Sequence, residues 1–266
     1  MPSSTKGKGL ALVTGASSGI GEAMARSLAR RGHGLVLVAR RRARLEALAE
    51  ALREAHGVEV RVLECDLAGH DAATQLVEAL EGSEVEIVVN NAGYGMQGRF
   101  VEMAMDDVAR MVRLNVLTLT HLTHLMAQAM ARRGRGLILN VSSSAAFLPS
   151  PYVTAYAATK AYVMSFSEAL RHELEGTGVS LTTLYPGITR TEFNAVAGAK
   201  TPGLLDFSIL SAEAVAETGL DAMFARRRAV IPGWVNKVNA LFSVLLPRAW
   251  VVRMAGFLLG RANGWG

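Results

Sequence analysis

The stretch Leu10-Ala11-Leu12-Val13-Thr14-Gly15-Ala16-Ser17-Ser18-Gly19-Ile20-Gly21 runs from an apolar segment through a glycine-rich turn into a pattern, Glu22 to Arg31, with apolar positions three and four residues apart. Such an order reads as strand, tight loop and helix. Glycine lets the backbone turn sharply and approach a ligand closely, and the amides and positive dipole end of the following helix suit a diphosphate. An ordinary strand-to-helix turn would share these features, but the position after the first strand of the chain favours the phosphate loop.

Outward from this stretch, short runs rich in Val, Leu and Ile recur at Leu35 to Val38, Val58 to Leu63, Ile87 to Val89, Leu137 to Val141, Val179 to Leu184 and Ala229 to Ile231. Amphipathic segments such as Ala43 to Ala55 and Ala72 to Leu80 lie between them. Regular alternation of strand and helix implies parallel pairing through right-handed crossovers. The expected fold is α/β: a doubly wound, seven-stranded parallel sheet with helices on both faces, in which ligands sit beyond the carboxyl ends of the strands.

A chain of 266 residues, half of them hydrophobic, can bury a large core and is read as one domain, 1–266. The single cysteine, Cys65, and the absence of an apolar segment in the opening MPSSTKGKG point to a cytoplasmic protein. The formal net charge of +5 suits an anionic ligand. Scattered arginines and few aromatics speak against nucleic acid, and no apolar run reaches the length of about 18 residues that a spanning helix requires.

After the second apolar run the arginines Arg40, Arg41, Arg42 and Arg44 crowd the start of a helix, where cations oppose the helix dipole. A solvated basic face is one reading; a bound anion is the other. Where an acidic residue at this place would grip the adenosine ribose hydroxyls, arginine pairs with a 2′-phosphate, so NADP(H) is expected in preference to NAD(H). Asp66 and Asn90-Asn91-Ala92-Gly93 follow the third and fourth runs. Asp66 could cap a helix and the Asn pair could form a turn, yet both stand on the rim where a cofactor would lie.

Beyond Pro149 and Pro151 comes Tyr152-Val153-Thr154-Ala155-Tyr156-Ala157-Ala158-Thr159-Lys160-Ala161-Tyr162. Proline geometry places the helix start near Thr154 or Ala155, leaving Tyr152 in the approach, where it could touch substrate. Tyr156 and Lys160 are four apart and share a face, whereas Tyr162 is turned about 240° from Tyr156. An ammonium beside a phenol favours the phenolate, so Lys160 is expected to lower the Tyr156 pKa.

The ordered set TGASSGIG, CDL, NNAG, LNV, VSSS, YAATK and PGITRT, between about Leu10 and Thr191, resembles the short-chain dehydrogenase/reductase family of single-domain Rossmann-fold enzymes. The resemblance implies Tyr156 as general acid/base, Lys160 as the residue that tunes it and binds the nicotinamide ribose, Ser143 as the group that orients the carbonyl, and Asn115 as the residue that distorts its helix and holds a water for a proton relay. It implies that Gly15, Ser17, Ser18, Gly19, Ile20 and Gly21 line the diphosphate, and that Arg40 and Arg41 read the 2′-phosphate. Asp66 and Leu67 would flank adenine, Asn90, Ala92 and Gly93 the adenosine ribose and its linker, and Pro186, Gly187, Ile188 and Thr191 the nicotinamide. Reduction of a ketone by NADPH follows, the reverse oxidation being the alternative; the complete Ser, Tyr and Lys set argues against a non-catalytic sensor. Assembly as a homodimer or homotetramer is implied as well, which would give Tyr162, His121 and His124 a packing role in place of metal ligation, so that no metal is expected.

The resemblance fades after Pro202. A flexible terminus over 1–8 and a substrate loop over 190–212 are expected, followed by an apolar C-terminal extension over 233–266 that Pro247 divides into two helical pieces. This extension could cap a pocket for a hydrophobic carbonyl substrate of steroid or 3-ketoacyl type, pack on a sister subunit, or lie on a membrane surface. The first two are preferred.

Overall fold

The computed structural model describes residues 8–192 and 208–264. The expectations for the N-terminal stretch 1–7, for 193–207 of the substrate loop and for the last two residues lie outside the described residues.

Seven strands form one parallel sheet: β1 (Lys8–Thr14), β2 (His33–Ala39), β3 (Val60–Glu64), β4 (Val85–Asn90), β5 (Gly136–Val141), β6 (Val179–Leu184) and β9 (Ala229–Val230). Their order is β3-β2-β1-β4-β5-β6-β9. The chain winds outward from β1 to β3 and then crosses back to β4, so the topological switch lies between β1 and β4. The two-residue strands β7 (Thr189–Arg190) and β8 (Leu210–Ser211) make a separate parallel pair that the apolar pattern did not announce.

The strands are apolar on both faces because both faces are covered. Ala11, Val13, Leu35 and Leu37 face the layer of α1 (Gly19–Arg30), α2 (Arg42–His56) and α7 (Ala212–Phe224). Leu12, Val36, Val38, Val88 and Ile138 face the opposite layer, with α3 (Ala72–Glu78) and α5 (Leu119–Arg133). Between β4 and α5, helix α4 (Met105–Val112) runs into a wide-turned π segment, Arg113–Thr118, that contains Asn115. Helix α6 (Thr154–Glu173) starts where the prolines placed it. Pro247 separates α8 (Trp234–Leu245) from α9 (Arg248–Asn263). Two boundaries differ from the pattern. Helix α1 starts at Gly19 because the glycines themselves wind its first turn, and β3 starts at Val60 because Gly57 closes α2 in the left-handed region, leaving Val58 in the turn.

One polar chain runs through the apolar interior under the sheet ends. Asn90 Nδ2 donates to Thr123 Oγ1 and to Asn140 Oδ1, each at 2.9 Å, and Asn140 Nδ2 donates to Ser167 Oγ at 2.9 Å. All four side chains are buried. Buried polar groups are costly without partners, so the chain ties β4, β5, α5 and α6 into one register. Asn140→Ala should lower the unfolding free energy by about 1–3 kcal/mol, read as a lower urea midpoint; an unchanged midpoint would show that the chain of amides adds no stability.

Candidate active site

At the switch point, the Thr14 hydroxyl donates to the Val89 carbonyl at 3.1 Å and accepts from the amides of Asn91 and Ala92, both at 3.0 Å. Asn91 Nδ2 returns hydrogen bonds to the carbonyls of Thr14 (3.0 Å) and Gly15 (3.3 Å). The turn after β1 is thereby fastened to the turn after β4. Little room is left between them: a Cβ on Gly15, where φ is +67°, would meet Asn91 Nδ2 at 2.8 Å, and one on Gly21 would lie 2.3 Å from the Gly15 carbonyl oxygen. Gly19 sits at φ +58°, its Cα side facing the Thr191 methyl. Ser18 precedes α1 without capping it through its side chain, which leaves the first-turn amides around Gly19, Ile20 and Gly21 directed outward.

The arginines after β2 divide by partner. Arg41 reaches back to Ser17 Oγ (3.1 Å) and Ser18 Oγ (2.6 Å) and pairs with Glu192 Oε2 at 2.7 Å, while Arg44 holds the other oxygen of Glu192 at 2.7 Å. Hydrogen bonds from Arg41 and then Arg44 hold the Glu192 carboxyl below its usual range. Arg40 is exposed and has no ion-pair partner among the described residues.

Along the rim, Asp66 is committed to neighbours: one oxygen accepts from the Ala68 amide at 3.1 Å and the other pairs with Arg110. Leu67 is buried, its carbonyl accepting from Thr118 Oγ1 at 2.7 Å. Asn90 brings only its backbone to the rim, since its side chain joins the buried amide chain. Its neighbour Asn91, which the sequence placed on the rim without a role of its own, carries the contacts at the switch point. Asn115 is fully buried; it bonds the Tyr94 amide (3.2 Å) and carbonyl (3.0 Å) and donates to Thr159 Oγ1 at 3.1 Å. Gly93 lies between Asn115 and Lys160, where a Cβ would stand 2.9 Å from Asn115 Oδ1 and 3.6 Å from Lys160 Nζ.

At the ends of β5 and β6 the ladder continues past the strands: the amides of Ser142 and Ser144 donate to the carbonyls of Leu184 and Pro186, each at 2.8 Å. Ser143, fixed between them, hydrogen-bonds Tyr156. Lys160 is buried, with Nζ donating to the Val141 carbonyl at 2.9 Å and lying 5.8 Å from the centre of the Tyr156 ring. Ser142 Oγ bonds the Lys160 carbonyl at 2.8 Å, so the same β5 end grips both ends of the lysine.

The expectation that Lys160 lowers the Tyr156 pKa is corrected by this geometry. Burial pushes the Tyr156 phenol up to about 12, with the Ser143 hydrogen bond pulling the other way. Burial pushes the Lys160 ammonium down from 10.5 to about 8. Desolvation outweighs the mutual attraction of ammonium and phenolate at this separation.

Gly187 packs against the side chain of Asn236, a buried residue of α8 that the sequence reading did not single out; a Cβ on Gly187 would meet Asn236 Oδ1 at 2.3 Å. The Ile188 carbonyl accepts from the Leu210 amide at 3.3 Å, tying the loop after β6 to β8. Tyr152 lies before α6 at φ +66°, an uncommon conformation for an aromatic residue, with its carbonyl accepting from the Gly98 amide at 2.8 Å. Tyr162 points elsewhere: it stacks on Phe166 at 5.8 Å, and its hydroxyl meets Thr120 Oγ1 at 3.1 Å. His121 and His124 are exposed on α5.

With this arrangement in view, residues 9–202 match the short chain dehydrogenase family profile. A Gallus gallus protein named hydroxysteroid dehydrogenase-like protein 1 is 31% identical over 245 residues, 91% of this chain and 72% of its own length. The very-long-chain 3-oxoacyl-CoA reductase of Anas platyrhynchos is 34% identical over 192 residues, 70% of this chain and 62% of its own length, so the match spans less than two thirds of that reductase. A solved structure of a short-chain dehydrogenase from Sphingobium yanoikuyae in complex with NADPH superimposes with a TM-score of 0.81 at 34% identity, over 88% of this chain and 92% of that one.

The lysine shift gives a direct test. In ligand-free protein labelled with [ε-13C]lysine, Lys160 should titrate near pH 8. Between pH 8 and 10.5 the unfolded chain binds the extra proton, so this group adds to folded stability as pH rises across that window. Absence of any lysine resonance with a midpoint near pH 8 would contradict the burial argument.

Proposed function

Because the chain belongs to the short-chain dehydrogenase family, we propose that it is an oxidoreductase that uses NADPH to reduce a hydrophobic ketone to a secondary alcohol. The observation that carries this reading is the Ser143–Tyr156 hydrogen bond above buried Lys160, at the sheet ends beside the glycine loop.

The residues fit the cofactor. Gly15 and Gly21 leave a backbone surface that a Cβ would fill, and Ser17, Ser18, Gly19 and Ile20 complete a cradle for a diphosphate. Arg40, unlike Arg41, has no ion-pair partner among the described residues and is the arginine assigned to the 2′-phosphate; Arg41 steadies the loop through Ser17 and Ser18. Leu67 and the Asp66 backbone border the place for adenine, Asn90, Ala92 and Gly93 present backbone towards the ribose, and Pro186, Gly187, Ile188 and Thr191 border the nicotinamide. When bound, the nicotinamide supplies the hydride.

Ser143 and Tyr156 hydrogen-bond the substrate carbonyl oxygen, and Tyr156 gives up its proton as charge develops there. A phenol that stays protonated to about pH 12 is a loaded acid at neutral pH, and an alkoxide is far more basic than the phenolate left behind. Lys160, held by the Val141 carbonyl, supplies positive charge below the phenol as its proton leaves, and Asn115 fixes the Tyr94 turn and Thr159 around it.

The substrate assigned is a bulky apolar ketone, polycyclic or long-chain 3-oxoacyl, supported by the two relatives. The chain is read as one domain that pairs with itself through α5 and α6, where Leu117 of the π segment leading into α5 and Tyr162 of α6 are exposed.

NADPH oxidation measured against short ketones, decalones, steroids and 3-oxoacyl thioesters should be fastest with the bulky apolar members; tight NADPH binding with no turnover on any carbonyl would overturn the reductase reading. Tyr156→Phe should lower kcat by roughly two to four orders of magnitude with little change in the NADPH Kd, and retained turnover would remove Tyr156 as the acid. Arg40→Asp should move the NADPH-to-NADH ratio of kcat/KM by roughly ten- to a hundredfold towards NADH. An equal response to both cofactors would exclude Arg40 from the phosphate site.

A further inference from the structure

Helices α8 and α9 are amphipathic in the reverse sense. At about 100° per residue, Trp234, Val238, Leu241, Phe242 and Leu245 of α8 fall within an arc of about 100°, and Trp250, Met254, Phe257 and Leu258 of α9 do the same. All nine are exposed, Trp234 at 74% and Trp250 at 69%. The inward faces carry smaller or polar residues instead: Asn236 and Ala240 of α8 and Val251 of α9 are buried, and Gly256 of α9 lies against Pro151.

Charge identifies what these faces meet. From Trp234 to Asn263 the two helices and their junction hold Lys237, Arg248, Arg253 and Arg261 and not one Asp or Glu. Lys237 and Arg253 flank the two apolar stripes, and the Arg261 guanidinium stands 5.4 Å from the centre of the Phe257 ring, within the stripe of α9. A second copy docked by two-fold symmetry would set this cationic face against itself, with no carboxylate on either helix to offset it. An anionic bilayer surface offers an apolar layer beneath negative headgroups, matching both features together. No helix among the described residues is long and apolar enough to cross a membrane.

We propose that α8 and α9 form a docking surface for anionic lipid, lying in the headgroup plane with the two tryptophans and Phe257 directed into the acyl boundary. The same helices adjoin Gly187 through Asn236 and Pro151 through Gly256, so docking would set the mouth of the candidate site at the lipid boundary. The proposal concerns the surface alone and stands whatever reaction the site performs.

The full chain should sediment with vesicles of phosphatidylcholine mixed with phosphatidylglycerol, much less with phosphatidylcholine alone, and less again at high salt. Arg253→Gln with Arg261→Gln should weaken binding to the mixed vesicles by roughly 25-fold, about fivefold for each cation removed. Trp250→Ser with Phe257→Ser should abolish it, both pairs keeping the parent urea midpoint and NADPH affinity. Absence of binding to either vesicle would overturn the proposal. Equal binding to both vesicle types, unaffected by the arginine pair, would overturn it too, as would a dimer in light scattering that the Trp250 and Phe257 pair splits without any loss of vesicle binding in the parent's behaviour.

Discussion

The hydroxyl of Thr14 is the constraint on which the rest of the site depends. It sits at the one place where the chain, having wound outward to β3, returns to lay β4 beside β1, and it hydrogen-bonds one carbonyl and two amides where the strands end. Asn91 closes the clasp from the other side. Once the two turns are held this closely, a side chain at Gly15 or Gly21 has nowhere to go. The glycines of the loop are thus required first by the meeting of two turns, and the exposed backbone that could cradle a diphosphate is a consequence.

The same logic explains what was legible in the sequence. Strands covered on both faces are written as unbroken apolar runs, and a tyrosine over a lysine is a matter of helical spacing, so both are readable from neighbours along the chain. Asn90 and Asn91 look alike by that standard, yet strand parity separates them. Asn90 shares a face with Val88, which points towards α5, and so enters the interior to meet Thr123 and Asn140. Parity could have found this. Nothing local could have found Arg110 on Asp66 or Glu192 on Arg41, because these partners are separated by long stretches of chain and meet only after the sheet has formed.

Electrostatics at the site also depended on depth more than on adjacency. Spacing correctly put a cation beneath a phenol, and adjacency alone would lower the phenol's pKa. The fold instead encloses both groups, and enclosure disfavours whichever form is charged, raising the tyrosine and lowering the lysine. A protonated phenol next to a buried ammonium suits delivery of a proton to a forming alkoxide. The Val141 carbonyl on Lys160 keeps that ammonium in place without neutralising it, which a carboxylate partner would do.

Periodicity in the C-terminal extension revealed two apolar stripes but carried no information on which way they face. An amphipathic helix on a globular protein ordinarily turns its stripe inward, and on that basis a pocket cap or a subunit contact was the natural expectation. Packing sets which face is inward, because the ground beneath α8 and α9 is already close: Gly187 admits Asn236 only because it lacks a side chain, and a Cβ on Gly256 would press on Pro151 at 3.3 Å. Tryptophan or leucine turned inward at those two points would collide with the loops that frame the candidate site. The small and polar residues therefore take the inner face, and the large apolar ones are left outside, among cations that have no acidic partner on the same helices.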